Sequence, residues 1–439
     1  MENNINNIKS NKLKVFFETF GCKVNYAETS RMLDEFTKNG TIATDKVEES
    51  DILVLNTCSV TKKADADARK AIRHALRAKP NIYIIVTGCA AEINPFQFSA
   101  IPGVDLVVGN TGKFNILDYA DGFHKNLESI IIDPKIENLQ FDFAYSSEAD
   151  SRTRAVFKIQ DGCEYNCTYC VIPQARGKFR SMPFNEIIPT LKTISEKGFK
   201  EAVLVGINLS EYRFNNYRFA DVLKAIEDSD VDLRVRISSI EPNILNKEII
   251  DLISKSQKIC PHFHLPLQSG SDTILKLMRR RYNARQFRGK IELINSFVPN
   301  AGIGIDVITG FPGESGVEFE ETYNFLNELK FSYLHVFSYS ERENTLAITM
   351  ENKVAENIKK ERTNILRELS KKKTEEFYKS QLNTEREVIF EHKIKDDYYF
   401  GHTDNYIPIV ARSQNNINNT KIKVLLKLLI NGKIEGKIL

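Results

Sequence analysis

The chain is predicted to be an α/β multidomain protein. An N-terminal parallel α/β domain comes first, then a central partial (β/α)6 barrel, then a small antiparallel β-barrel at the C-terminus. Three observations predict this. From about residue 12 to 145, near-continuous apolar strands alternate with helices. From about 150 to 380 the alternation continues through six strands. From 381 to 439 it gives way to short strands separated by turn residues. A chain of 439 residues is longer than one core usually serves, so several domains are expected.

In the first segment LKVFFETFGC reads as a strand ending at Cys22, and DILVLNTCSV as a strand ending at Cys58. The stretch ADADARKAIRHALRAK has apolar spacing near the helical period and stops at Pro80. NIYIIVTGCA is a third strand, ending at Cys89. Apolar strands separated by helices imply a Rossmann-like parallel sheet covered on both faces. All three cysteines then fall at carboxyl ends of strands, which lie along one edge of such a sheet, where ligands bind. Buried structural cysteines are the plain alternative, but a core cysteine has no reason to prefer one end of a strand.

In the central segment RAVFKIQDGC is a strand (Ala155 to Ile159) running into a turn at Asp161-Gly162. The strands EAVLVGIN, LRVRISSI, HFHLPLQ, GIGIDVITGF and YLHVFSYS follow. The helices PFNEIIPTLKTISEKG, FADVLKAIED, NKEIIDLISKS, SDTILKLMRR and EFEETYNFLNEL lie between them. Six such units make an incomplete barrel, open enough to admit a macromolecule. Residues 355–380 read as a long charged helix leaving it. The closing strands REVIFEHK, YYFGHTDNYIPIVAR and TKIKVLLKLLING have the composition of a small antiparallel barrel. Tyr398, Tyr399, Phe400 and Tyr406 are available there to stack on bases or to fill the core.

Hydrophobic content of 42% and charged content of 27% are ordinary for a globular protein. The polar start MENNINNIKSNK has no apolar core segment, so no secretory signal is expected. Apolar runs such as KVLLKLLI are short and interrupted by lysine, so no membrane association is expected and the protein is placed in the cytoplasm as a monomer. Seven cysteines, an odd number, point in a reducing compartment to metal or catalysis rather than disulfides. A net charge of +3 says little, but LMRRRYNARQFRGK clusters Arg279, Arg280 and Arg281 with three more cations and no acid. Residues 421–439 carry five lysines against one glutamate. Each run is either a solvated face or a phosphate-binding one.

Cys163, Cys167 and Cys170 stand in DGCEYNCTYC, a C-x3-C-x2-C run that gathers three thiolates in one loop after a strand. Structural zinc sites close with four ligands, and electron-transfer iron–sulfur clusters usually have four cysteines. Three thiolates on a cubane cluster leave one iron open to a small molecule. A surface zinc knuckle is the alternative, though it needs no preceding strand.

This loop resembles that of the radical S-adenosyl-L-methionine (SAM) enzymes, and nearly the whole chain resembles their methylthiotransferase family. The resemblance rests on ETFGCKVNYAETS, NTCSVTKKADADARKAI, TGCAAE, DGCEYNCTYCVIPQARGKFRS, RISSIEP, HFHLPLQSGSDTILKLMRRRY, IDVITGFPGE and GHTDNY. The last resembles the RNA-binding barrel called TRAM. GCKVN, RISSIEP and LHVFSYSEREN look most like the branch that methylthiolates N6-threonylcarbamoyladenosine in tRNA. His402 stands where the family often has tyrosine, and YAETS replaces a commoner QYES.

The resemblance implies two 4Fe–4S clusters: an auxiliary one on Cys22, Cys58 and Cys89, and a SAM-binding one on Cys163, Cys167 and Cys170. Cys260 matches no ligand and is read as structural. It also implies two SAM molecules per turnover, a sulfur donor, and an electron donor such as flavodoxin or ferredoxin. The macromolecular substrate would be a tRNA anticodon stem-loop, modified at position 37. Tyr169 would pack near the SAM adenine. Strand-end candidates for SAM contacts are Gly206, Asn208, Ser238, Ser239, Gln268, Ser269, Asp306 and Gly310, the two glycines being equally read as turn residues. Arg176, with Lys178 and Arg180, would hold the SAM carboxylate or an RNA phosphate. Arg279, Arg280, Arg281 and Tyr406 would meet RNA. Substrates in sister branches are isopentenyl-adenosine in tRNA and a ribosomal-protein aspartate; outside enzymes, an iron–sulfur RNA-binding sensor is the rival reading.

Overall fold

The computed structural model describes residues 12–132, 141–146 and 153–439. The polar start of the chain and the expected boundary between the first two segments, near 145–150, lie largely outside the described residues. The chain divides into two compact units: residues up to 139 with Gln174–Arg176, and residues 140–173 with 177–439.

The first unit is built on a six-stranded parallel sheet: β1 (Lys14–Thr19), β2 (Ile42–Ala43), β3 (Ile52–Thr57), β4 (Tyr83–Gly88), β5 (Leu106–Val108) and β6 (Ile130–Ile132), in the order β2-β1-β3-β4-β5-β6. Every residue of β3 and β4 is buried, which is why these strands read as unbroken apolar runs rather than alternating ones. Leu53, Leu55, Ile84 and Val86 pack on one face with Ala68, Ile72 and Ala75 of the helix Lys62–Ala78. Ile52, Val54, Tyr83 and Ile85 pack on the other with Met32 and Phe36 of the helix Lys23–Lys38. Each such large apolar side chain contributes about 1.5–3 kcal/mol by leaving water. Thr61 caps the second helix by accepting from the Ala64 amide at 3.2 Å, a contact of about 1 kcal/mol.

The second unit carries six parallel strands: β7 (Arg154–Lys158), β8 (Glu201–Val205), β9 (Arg234–Ile237), β10 (His262–Gln268), β11 (Gly302–Thr309) and β12 (Tyr333–Ser338). They pair as two triplets, β7-β8-β9 and β10-β11-β12. A parallel bridge from Val235 to Ile259 and the bond from the Ile240 amide to the His264 carbonyl join the triplets. This is the expected partial barrel. One helix had no counterpart in the sequence reading: the polar stretch Ala284–Phe297 forms 14 residues of helix, with an Asn283–Gln286 capping box.

After the helix Glu356–Ser380, β13 (Glu385–Lys395), β14 (Tyr398–Thr403), β15 (Pro408–Arg412), β16 (Thr420–Ile430) and β17 (Lys433–Ile438) close into a barrel in the order β13-β14-β15-β17-β16. Val388, Phe390, Tyr399, Ile409, Val424 and Ile434 fill it. A buried ionic seam joins this barrel to the strands before it. Glu201 accepts from Arg234 Nε at 2.6 Å and from Arg236 Nε at 2.8 Å. The same arginines donate onward to the carbonyls of Glu387, His402, Thr403 and Asp404. Among the described residues no helix is long and apolar enough to cross a membrane.

Candidate functional site

In the first unit the three strands that precede cysteines are neighbours in the sheet. Cys22 and Cys58 follow β1 and β3 closely, and Cys89 follows Gly88 at the end of β4. The turns are close enough to require glycine. Gly21 has φ +98° and a Cβ there would stand 2.5 Å from Cys58 Sγ; Gly88 has φ +96° and its Cβ would meet the Thr57 carbonyl at 2.4 Å. Asn25 stitches the loops by donating to the carbonyls of Phe20 and Thr57, both at 2.9 Å.

Arg176 lies in this first site. Its Nε donates to Cys89 Sγ at 3.2 Å, one Nη donates to Asn25 Oδ1 at 2.6 Å, and the fork grips Glu28 at 2.9 and 3.0 Å. Both Arg176 and Glu28 are fully buried, and Lys113 Nζ also donates to Glu28 and to Asn110. Arg176, expected at the SAM carboxylate or an RNA phosphate, thus lies beside the first cysteine trio. The physical reason is Glu28, a buried anion 148 positions away in sequence, which no local pattern around Arg176 discloses.

In the second unit β7 delivers the loop of Cys163, Cys167 and Cys170. The Cys163 amide donates to the Gly177 carbonyl at 3.2 Å, and the Cys170 amide to the Cys167 carbonyl at 3.1 Å. Thr168 anchors the loop to the Leu277 carbonyl through its hydroxyl at 2.9 Å. The sulfurs receive donors as well. The Tyr165 amide reaches Cys163 Sγ at 3.4 Å, Asn208 Nδ2 reaches it at 3.9 Å, and Arg280 Nη1 reaches Cys167 Sγ at 3.3 Å. Arg280 is fixed by Glu241 at 2.5 Å and by the Tyr282 hydroxyl at 3.1 Å.

The remaining strand-end candidates divide. Asn208 touches the trio, and Tyr169, one residue before Cys170, sets its ring edge-on to Phe311 at 6.3 Å. Ser238 and Ser239 are half-buried just past β9. Gln268 sits at a bulge ending β10 with φ +69°. Ser269 is buried and bonded to the Thr322 hydroxyl at 3.1 Å, so it ties the strand end to a helix. The space a side chain would need at Gly206 is held by Gln160, and at Gly310, φ +73°, by Lys359. Both glycines thus serve close packing. Asp306 lies mid-strand and bonds His264 Nε2 at 2.8 Å. With His335 these two place their ligand atoms within 4.8 Å of one another. The sequence reading does not single out His264 or His335; the H-x-H alternation in HFHLP, which aims His262 and His264 of β10 to one face, is a signal for His264 alone.

The basic run separates into three environments. Arg279 is exposed with φ +56°. Arg281 lays its guanidinium over the Tyr165 ring at 3.6 Å. Arg280, expected to meet RNA, has only 4% of its side chain exposed and belongs to the second trio. Tyr406 also differs from expectation. Its φ is +73°, and its ring stacks with His402 at 5.0 Å, meets His262 at 5.1 Å and lies under Arg236 at 4.9 Å. That ring is engaged in the seam between the two barrels.

The donor sets fit clusters with an incomplete protein ligation. Burial pushes the Cys163 thiol up, and pushes Cys58 and Cys170 up to about 12. Thiols so placed give up their protons to a bound metal rather than to water. Among the described residues only His264, Asp306 and His335 gather tightly enough for a single ion, so neither cysteine trio is a compact mononuclear pocket. Each trio instead offers three sulfurs, one of them receiving an arginine N–H.

A six-stranded parallel partial barrel with three thiols after its first strand is the architecture of a radical SAM enzyme. Residues 157–326 match the Radical SAM superfamily, and residues 14–109 match a family described as Uncharacterized protein family UPF0004. The threonylcarbamoyladenosine tRNA methylthiotransferase MtaB of Bacillus subtilis is 40% identical, with 93% of each chain covered. The tRNA-2-methylthio-N(6)-dimethylallyladenosine synthase of Syntrophus aciditrophicus is 32% identical over 88% of this chain and 85% of its own. The ribosomal protein uS12 methylthiotransferase RimO of Clostridioides difficile is also 32% identical, over 89% of each. The chain belongs to the radical SAM methylthiotransferase family. Its fold is also that of the radical SAM methyltransferase TsrM from Kitasatospora setae, with a TM-score of 0.55 at 10% identity, covering 74% of this chain and 73% of that one.

Proposed function

We propose that this methylthiotransferase converts N6-threonylcarbamoyladenosine at position 37 of tRNA to its 2-methylthio derivative, using two 4Fe–4S clusters and two SAM molecules. Within the family, the observation that favours this substrate is the set GCKVN, RISSIEP and LHVFSYSEREN. The greater identity to the relative named for that nucleoside, 40% against 32% for the other two, points the same way.

Cys163, Cys167 and Cys170 are assigned to the SAM-binding cluster, and Cys22, Cys58 and Cys89 to the auxiliary cluster. Reduced clusters and SAM supply the radical chemistry that an unactivated aromatic C–H bond requires. The protein's own residues position and shield. Thr168 and the Cys163 amide hold the loop of the second trio rigid. Asn208 and Arg280 direct donors at its sulfurs. Tyr169 closes the apolar side against Phe311. Gln268, Ser238 and Ser239, at strand ends, are the polar groups available to SAM.

RNA is held, in this reading, by the exposed Arg279 and Arg281 and by the basic face of residues 381–439, with the adenine unstacked from its loop for modification. A sulfur donor and a low-potential electron donor such as flavodoxin or ferredoxin act with a cytoplasmic, monomeric enzyme. Mass spectrometry of tRNA nucleosides from cells with and without the gene tests the assignment. Loss of 2-methylthio-N6-threonylcarbamoyladenosine is expected. Loss of the isopentenyl analogue instead would move the protein to a sister branch.

A further inference from the structure

We propose that Arg280 and Arg176 are positioning residues that set the electron affinity of the two clusters, each aimed at one cysteine sulfur by a glutamate. The inference rests on the reading that both trios hold clusters. It starts from a parallel between two sites with no sequence similarity. In the second trio Arg280 Nη1 points at Cys167 Sγ at 3.3 Å, while Glu241 takes Nη2 and the Tyr282 hydroxyl takes Nε. In the first, Arg176 Nε points at Cys89 Sγ at 3.2 Å, while Glu28 and Asn25 take the other nitrogens.

A guanidinium has five N–H groups in a rigid plane. Once two edges are tied to fixed acceptors, the third nitrogen has no freedom to turn away from the sulfur. Three of the four side chains in the two arginine–glutamate pairs keep at most 4% of their surface exposed, and Glu241 keeps 16%. Water therefore does not replace the donor.

Hydrogen bonds to cluster sulfurs and nearby positive charge stabilise the more negative, reduced form and so raise the reduction potential. Charge-assisted donors in a dry site do so more strongly than neutral ones. The structural alternative is that each arginine only neutralises its glutamate. That role would not require a nitrogen directed at sulfur, and it predicts no change in potential when the arginine is altered with the cluster intact.

The test is a potentiometric titration of the anaerobically loaded holoenzyme, followed by electron paramagnetic resonance. The signal that changes on adding SAM identifies the second trio. R280K should disfavour reduction of that cluster about tenfold, a shift of about 59 mV to more negative potential for one electron, and leave the other cluster unmoved. R176K should do the reverse. E241Q touches no sulfur but loosens the aim of Arg280, so it should shift the same midpoint as R280K by a smaller amount. It also decides the matter should R280K fail to load. Wild-type iron content with unchanged midpoints in R280K or E241Q would overturn the inference. Wild-type protein without clusters at the trios would instead remove the reading beneath it.

Discussion

Replacing Glu201 by glutamine should weaken the seat of the C-terminal barrel more than any surface change. Glu201 is fully buried and accepts three hydrogen bonds from arginine, one from Arg234 Nε and two from Nε and Nη2 of Arg236, besides one from the Cys260 thiol. Those arginines, 4% and 1% exposed, carry their remaining donors to four carbonyls of the C-terminal barrel. In E201Q two buried guanidinium charges lose their carboxylate, and an amide N–H faces one of them. Breaking a buried pair in this way costs about 3–5 kcal/mol, a large part of a typical stability of about 5–15 kcal/mol. With a slope of about 3 kcal/mol per molar urea, the midpoint falls by about 1 M or more. Urea unfolding followed by circular dichroism reads this, and limited proteolysis near residues 381–384 should report a loosened barrel before the rest unfolds. An unchanged midpoint and cleavage pattern would refute the claim that the seam holds the two barrels together. The pH dependence has a definite sign. Burial alone would raise the Glu201 carboxyl, but Arg236 and Arg234 overcome it and hold the group well below the usual range. The pair's contribution is thus full above about pH 4.3, the unfolded value, and is lost as pH falls below it.

Three further outcomes follow from the site. Alanine at Cys22, Cys58 and Cys89 together should leave reductive SAM cleavage in place and abolish methylthiolation, whereas alanine at Cys163, Cys167 and Cys170 should abolish both; product analysis of the two variants checks this. R279A with R281A should weaken tRNA binding across tRNA sequences and flatten its dependence on salt, since each lost phosphate contact lowers the slope of log affinity against log salt by about 0.7–0.9, measured by filter binding at several salt concentrations. Y406A should lower thermal stability through loss of the seam contacts while leaving that salt slope as in the wild type; a flattened slope would return Tyr406 to the RNA surface.

The large elements were legible because their causes are local or periodic. Ile52–Thr57 and Tyr83–Gly88 are buried on both faces and therefore read as continuous apolar runs. Five of the six barrel strands follow a helix, and four of those helices carry a legible apolar stripe. The second cysteine trio is written in eight consecutive residues, and the first follows from where parallel strands end. The helix Ala284–Phe297 was hidden by its charge, since it buries only Phe287, Ile291 and Ile294. The surroundings of the arginines are illegible for a different reason. Arg280 finds Glu241 39 positions away and Arg176 finds Glu28 148 away, so their burial depends on tertiary contacts that no run of basic residues reveals. Tyr406, in a loop of the C-terminal barrel, likewise owes its place to His262, on a strand of the other barrel.

The central claim is that this chain holds two clusters, one on each trio of thiols. Iron and acid-labile sulfide counted in anaerobically reconstituted protein test it most directly, with Mössbauer spectra to establish cluster type. Two 4Fe–4S clusters are expected in the wild type and one in each of the two triple alanine variants, and of those variants only the one that keeps Cys163, Cys167 and Cys170 should change its spectrum on addition of SAM. A wild type with a single cluster, or a triple variant that keeps both, would contradict it.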